Sequence, residues 1–459
     1  MHQSIQTPII PTHAQFIGVT DELDLKAICV YSAIGFFLGE DTFYKGLKTL
    51  KPGHNYEINN HQVISSTPYF SWHNTPRNIG IGEATEEFRQ VFEQLINRSV
   101  DGRKVILPLS GGLDSRSLAA GLKHCNAHVE AYSYSFYGGL DETKYASKIA
   151  KAEGFNFHKL IIPSGYLWNK IDELAQINSC YSEFTHPRQM AFTEKYGAWG
   201  DVFMLGHWGD VLFDNMNVDD NLSVPDQVVL LLKKVVKMGG RELGNSLWTA
   251  WGIEGSFDDY LYESIHQLLT TLNIPNANTQ LRAFKSRYWA TRWTSVNLAI
   301  FENIKPIEVP YFDNQLCEFI CTLPESILGK RQIQIEYLKQ YAPELARIEW
   351  QEKRPFNLYN YKNNYQWITL PYRGVQKVKR MFQKNDFVQR NWELQFIGKK
   401  NEEQLENRLF NQKEFLDWVP ESLVRTFYKQ FKSENPVYYA HAVSMLLTLS
   451  LFSSQKKLK

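Results

Sequence analysis

The stretch "VILPLSGGLDSRSLAAGL", Val105 to Leu122, decides the fold of this chain. Val105, Ile106 and Leu107 read as a buried strand, and the alanine- and leucine-rich segment from Ser115 reads as a helix. Between them stands Ser110-Gly111-Gly112-Leu113-Asp114-Ser115. Two glycines after a strand let backbone N–H groups turn towards a ligand, and the helix start adds partial positive charge. The segment therefore reads as an anion cradle. A serine nucleophile on a strand-to-helix elbow needs G-x-S-x-G, which neither Ser110 nor Ser115 satisfies. The G-x-x-x-x-G-K-[ST] and G-x-G-x-x-G spacings are absent as well. Both serine hydroxyls can donate to phosphate oxygens. Asp114 would repel phosphate unless a divalent cation such as Mg²⁺ lies between them.

Working outward, strands and helices alternate. "KVILPL", "VEAYSYSF", "FHKLII" and "DVFML" read as strands. The segments between them read as amphipathic helices, and Asp141 and Gly154 are the expected caps of "DETKYASKIAKAEG". This pattern predicts an α/β fold with a doubly wound parallel sheet. Ligands of such sheets bind beyond the C-terminal strand ends, where the Ser110 loop and "GHWGDVLFD" both fall. Upstream, residues 24–39 read as an apolar helix, Asn55–Ile58 as part of a small β unit, and residues 71–78 as a linker. Glu83–Arg98 reads as a helix with Phe88, Val91, Phe92 and Leu95 on one face. From about residue 215 the chain reads as mostly helical and rich in aromatics, with Ala440–Phe452 a buried helix.

The 459 residues carry 50 basic and 49 acidic side chains, and 43% are hydrophobic. A balanced charge excludes dominant nucleic-acid binding, and the short basic tail Gln455–Lys459 reads as solvated. No long uninterrupted apolar run or signal-peptide pattern is visible, so no membrane association is expected. The five scattered cysteines read as reduced thiols of a cytoplasmic protein. Cys317-x-x-x-Cys321 and "HCNAH" (His124, Cys125, His128) lack the further ligands that a zinc site needs.

S-G-G-L-D-S after a hydrophobic strand resembles the PP-loop of the ATP pyrophosphatases. The continuation resembles the synthetase domain of the asparagine synthase family. "DETKYASKIAKAEGFNFHKL" is similar to the family's next helix and strand, and "LGHWGDVLFD" to its G-E-G-x-D-E-L-F motif. "VPYFDNQLCEFICTLPESI" resembles its R-x-P-F-L-D segment, and "RIEWQEKRPF" the segment with its catalytic lysine. The resemblance implies a PP-loop sheet, a large helical C-terminal part and a small N-terminal α+β remnant. It divides the chain into residues 1–78, a truncated glutaminase-like region with linker, and 79–459, the ATP-binding synthetase domain.

The resemblance also implies an activity: a ligase that uses Mg-ATP to adenylate a carboxylate, then lets ammonia or an amine displace AMP. Ser110, Gly111, Gly112, Leu113 and Ser115 would cradle the pyrophosphate part of ATP, with Gly206 against the nucleotide. Asp114 and Asp210 would bind Mg²⁺, and Lys353 would stabilise charge on the phosphates, a role Arg354 could take instead. The family's N-terminal class II glutaminase uses a cysteine directly after the initiator Met, where this chain has His2. A chain without its own glutaminase would take ammonia, ammonia from a partner glutaminase, or an amine. The motif's first glutamate is His207 here, read either as a base or as a space-filling hydrogen-bonding group. Its second acid is Val211, and the arginine expected near the acceptor is Glu308, which argues against aspartate as the carboxylate. Other readings are a β-lactam- or lasso-peptide-type cyclase with internal amine attack, a sugar-acid ligase, a non-catalytic nucleotide-binding subunit, and a tRNA-tailoring enzyme.

Overall fold

The computed structural model describes residues 2–60, 62–363 and 388–455. Lys456–Lys459 of the basic tail lie outside the described residues. Strands β1 (His2–Gln6), β4 (His54–Asn59) and β5 (Gln62–Pro68) form an antiparallel sheet in the order β1-β4-β5. Strands β2 (Phe16–Gly18) and β3 (Leu47–Thr49) form a separate antiparallel pair. The expected β unit is thus present; β1 adds a strand that its polar composition had hidden, and β2 one too short, at three residues, to show a period. Helix α1 (Leu25–Ile34) is shorter than expected, because Gly35 turns the chain at a φ of 84° and caps it.

Helix α2 (Ile81–Val100) leads into the main sheet and buries Phe88, Phe92 and Leu95, while Val91 is only half-buried. The unit then alternates β6 (Val105–Pro108), α3 (Leu113–His124), β7 (Val129–Phe136), α4 (Thr143–Glu153), β8 (Asn156–Ile162), α5 (Tyr166–Asn178) and β9 (Val202–Met204). A two-residue edge strand, β10 (Ile307–Glu308), completes the order β10-β9-β6-β7-β8. All four pairings are parallel. Glu142 takes the cap position of α4, and Asp141 beside it accepts the Thr143 N–H at 3.1 Å. Gly154 closes the helix at a φ of 73°.

From β6 the chain moves outward through β7 to β8, then returns to β9 on the other side of β6. The strand order therefore reverses between β6 and β9, where doubly wound sheets open their binding crevice. Helices dominate the remainder. The last, Pro436–Gln455, is long and apolar enough to cross a membrane, and most of it is buried against α1, Lys399–Phe410 and Glu421–Ser433. Residues 71–78 are not a bare connection: Trp72 is buried, and Thr75 and Arg77 donate to the carbonyls of Cys321 and Thr322.

Candidate active site

The Ser110 loop closes on itself. Ser110 N–H donates to Ser115 Oγ at 3.0 Å, and Gly112 N–H donates to Ser110 Oγ at 3.2 Å. The β9 turn comes close alongside, since a Cβ on Gly206 would stand 3.2 Å from the Ser115 nitrogen. Trp208, at a φ of 79°, swings the chain so that Asp210 N–H donates to Asp114 Oδ2 at 3.1 Å. A Cβ on Gly209 would collide with the Asp114 carboxylate. Glycine here serves close approach, not merely turning.

Asp114 is the most heavily held group. The Arg331 guanidinium ion-pairs with its Oδ1, Gln334 Nε2 donates to the same oxygen at 2.9 Å, and Tyr311 Oη donates to its carbonyl at 3.1 Å. Burial raises the Asp114 carboxyl to about 6, with Arg331 opposing and the Asp210 charge adding to the rise. Lys330 and Arg331 sit at φ of 58° and 60°. Two consecutive non-glycine residues in the left-handed region are strained, and strain of this kind gathers at functional sites. Lys330 N–H is held by Asp214 Oδ1 at 2.8 Å.

Ser110, Gly112, Leu113, Asp114 and Ser115 line one cavity of about 750 Å³. Gly206, His207 and Asp210 line the same cavity. Gly111 is covered, because Gln351 Oε1 accepts its N–H at 3.1 Å. Arg116, fully buried, fastens this cover by donating to the carbonyls of Gly111, Leu345, Ile348 and Glu349. Lys353 does not line the cavity; its Nζ lies 5.9 Å from the Trp350 ring centroid. Glu308 is turned away too, paired with Arg103 at 2.6 Å, so it does not meet an acceptor in this cavity.

Among the described residues, the cations that line the cavity are Arg188, Lys234, Lys285 and Arg331. Burial lowers Lys285 to about 8, against the pull of the Asp210 charge. His207 is pushed down to about 4 by burial, so its imidazole is neutral at pH 7. Its Nδ1 is buried without a hydrogen-bond partner among the described residues. Asp114 and Asp210 form an all-oxygen donor pair suited to Mg²⁺, and no described residue donates to the Asp210 carboxylate. Asp114 Oδ2 accepts one N–H and keeps a lone pair, so the pair fits the ion.

The site is a crevice of about 750 Å³ at the reversal point of a parallel sheet, with a glycine-serine cradle and the Asp114 and Asp210 carboxylates in one lining. Residues 87–227 match the model of the asparagine synthase family, a stretch that holds the cradle and Asp210, and this supports a place in that family. No curated protein matches the chain.

Arg331, Gln334, Lys285, Arg116 and Gln351 were not read from the sequence. The four-residue spacing of Lys285, Trp289 and Trp293 was a usable signal for Lys285.

Proposed function

We propose that the protein is an ATP-dependent, AMP-forming amide ligase. A carboxylate oxygen attacks the α-phosphorus of ATP, pyrophosphate leaves, and a nitrogen nucleophile displaces AMP from the acyl adenylate while losing a proton. The single observation that carries this reading is the convergence of the Ser110 loop, Asp114 and Asp210 at the β6–β9 reversal point. The family match over residues 87–227 supports the same reaction class.

Mg²⁺ held by Asp114 and Asp210 would neutralise charge on the phosphates. The remaining roles fall to this chain's own groups. Gly112 N–H and the two serine hydroxyls are placed to exchange their mutual hydrogen bonds for phosphate oxygens. Arg331 keeps Asp114 ionised despite burial. Lys285 supplies a fixed cation in the same cavity, available to the carboxylate that attacks. His207, neutral, orients the incoming nitrogen by a hydrogen bond instead of carrying charge.

Ammonia, or an amine, comes from outside this polypeptide. Burial is the largest influence on all five thiols and raises every one, Cys321 to about 11, so none has the thiolate character of a glutaminase nucleophile. The five free thiols suit a reducing, cytoplasmic setting.

ATP–pyrophosphate exchange with a panel of carboxylates tests the reaction. Exchange should depend on a carboxylate and fall at least 100-fold in Asp114→Ala, whose fold is checked by circular dichroism. Exchange retained in a folded Asp114→Ala would refute the metal-holding role.

A further inference from the structure

The cavity has two ends. One is the cradle beside β6. The other is walled by Trp208, Trp289, Trp293 and Phe301. Lys285, Trp289 and Trp293 come from one stretch, Lys285–Thr294, that winds as a π-helix. With i→i+5 hydrogen bonding each turn is wider than an α-turn, so residues four apart stay on one face. The wider winding therefore presents a cation and two indoles to the cavity in line.

These groups are held before any ligand arrives. Trp289 stacks on Phe36 at 5.7 Å, Trp293 packs against His186 at 4.4 Å, and Trp208 Nε1 donates to Ser286 Oγ at 3.0 Å. Among the described residues, Lys285 Nζ reaches Met216 Sδ, at 3.5 Å, and no carboxylate pairs with it. Among the described residues, the Arg188 guanidinium meets Tyr134 Oη, at 3.5 Å, and the Phe136 ring. Arg188, His207 and Thr294 each carry a buried polar atom with no partner among the described residues.

We propose that this end binds the carboxylate substrate as a hydroxylated ring acid of the sugar-acid class, with Lys285 on the carboxylate and Trp289 and Trp293 against the ring face. The proposal rests on the ligase reading. A small flexible diacid would leave the indole walls uncovered. A plain aromatic acid would cover them but leave the hydrogen-bonding capacity of Arg188 and Thr294 unmet, which costs affinity. A hydroxylated six-membered ring supplies both an apolar face and a polar rim.

The test compares D-glucuronate and D-galacturonate with L-aspartate and benzoate, by calorimetry with a non-hydrolysable ATP analogue and Mg²⁺, and by ATP–pyrophosphate exchange. At least one uronate should bind saturably and at least tenfold more tightly than aspartate or benzoate. Lys285→Met should weaken that binding at least tenfold with ATP-analogue affinity changed less than threefold, and Lys285→Arg should restore part of it. Trp289→Leu should raise KM for the uronate about tenfold with little change in kcat. Preference for aspartate or benzoate, uronate binding unaffected in both Lys285→Met and Lys285→Gln, or no uronate binding overturns the proposal. Exchange driven by another acid would then leave the ligase reading standing. Uronate binding that needs Lys285, with no exchange for any acid, would support this pocket and remove the ligase reading.

Discussion

Asp114 is a buried carboxylate asked to stay charged. Arg331 makes this possible, and the arginine is in turn locked by its left-handed backbone and by Gln334 Oε1, which accepts from its Nε at 2.8 Å. Removing one partner of a buried pair leaves the other charge uncompensated, at a cost of about 3–5 kcal/mol. Asp114 can escape part of that cost by protonating. Arg331→Met should therefore destabilise the protein by about 3 kcal/mol at pH 8 and clearly less at pH 5, measured by urea unfolding. Equal losses at both pH values would show that Asp114 is not the group left behind. Gly209→Ala places a methyl on the Asp114 carboxylate, so Mg-ATP affinity should fall at least tenfold in calorimetry while the circular dichroism spectrum is kept. Unchanged affinity would mean that the β9 turn does not need this close approach.

At the scale of elements, the strands and helices from β6 to β9 were legible because each apolar run has the period of its structure, and Gly154 punctuates the sequence where it caps α4. The cradle was legible for a related reason, since it follows β6 directly; Asp114 and Asp210, each in the first turn of the helix after its strand, were paired through the family resemblance of their motifs. Arg331 and Gln334 were not, because each is brought in by a helical segment more than 100 residues downstream of Asp210, with no local pattern that announces the approach, and Lys285 had only its spacing to Trp289 and Trp293 to mark it. Lys353 shows the reverse case. Its neighbour Gln351 covers Gly111, yet Lys353 itself points elsewhere. Helix α4 also carries a cost that sequence alone does not show. Burial, with the Glu344 charge adding, raises Glu153 near its C-terminus to about 7. The folded state then binds a proton that the unfolded state has released, so this residue lowers stability as pH rises from about 4.5 to 7. Glu153→Gln should gain about 1–3 kcal/mol in urea unfolding at pH 8 and almost nothing at pH 4. A gain equal at both pH values would point to packing, not charge.

Across the whole molecule, the cavity sits where the sheet changes direction, and the helical C-terminal part brings the cations and indoles to it. Buried histidines lie at contacts between distant parts of the chain. Burial lowers His186, which packs against Trp293, and His441, whose Nε2 donates to the Ser32 carbonyl at 3.0 Å, each to about 3. A depressed histidine favours the folded state above the ordinary imidazole pKa and loses that advantage as pH falls towards the folded value. Acid unfolding should therefore begin below about pH 6 and be steep by pH 4, and His441→Gln should move its midpoint to lower pH when followed by near-ultraviolet circular dichroism. An unmoved midpoint would remove His441 from this account. The central claim is that the cavity joins a carboxylate to the α-phosphorus of ATP. The most direct measurement supplies the best exchange-supporting acid with ¹⁸O in its carboxylate, together with Mg-ATP and ammonium, and weighs the nucleotide product by mass spectrometry. The account predicts AMP that carries one ¹⁸O. Formation of ADP, or of AMP without the label, would contradict it.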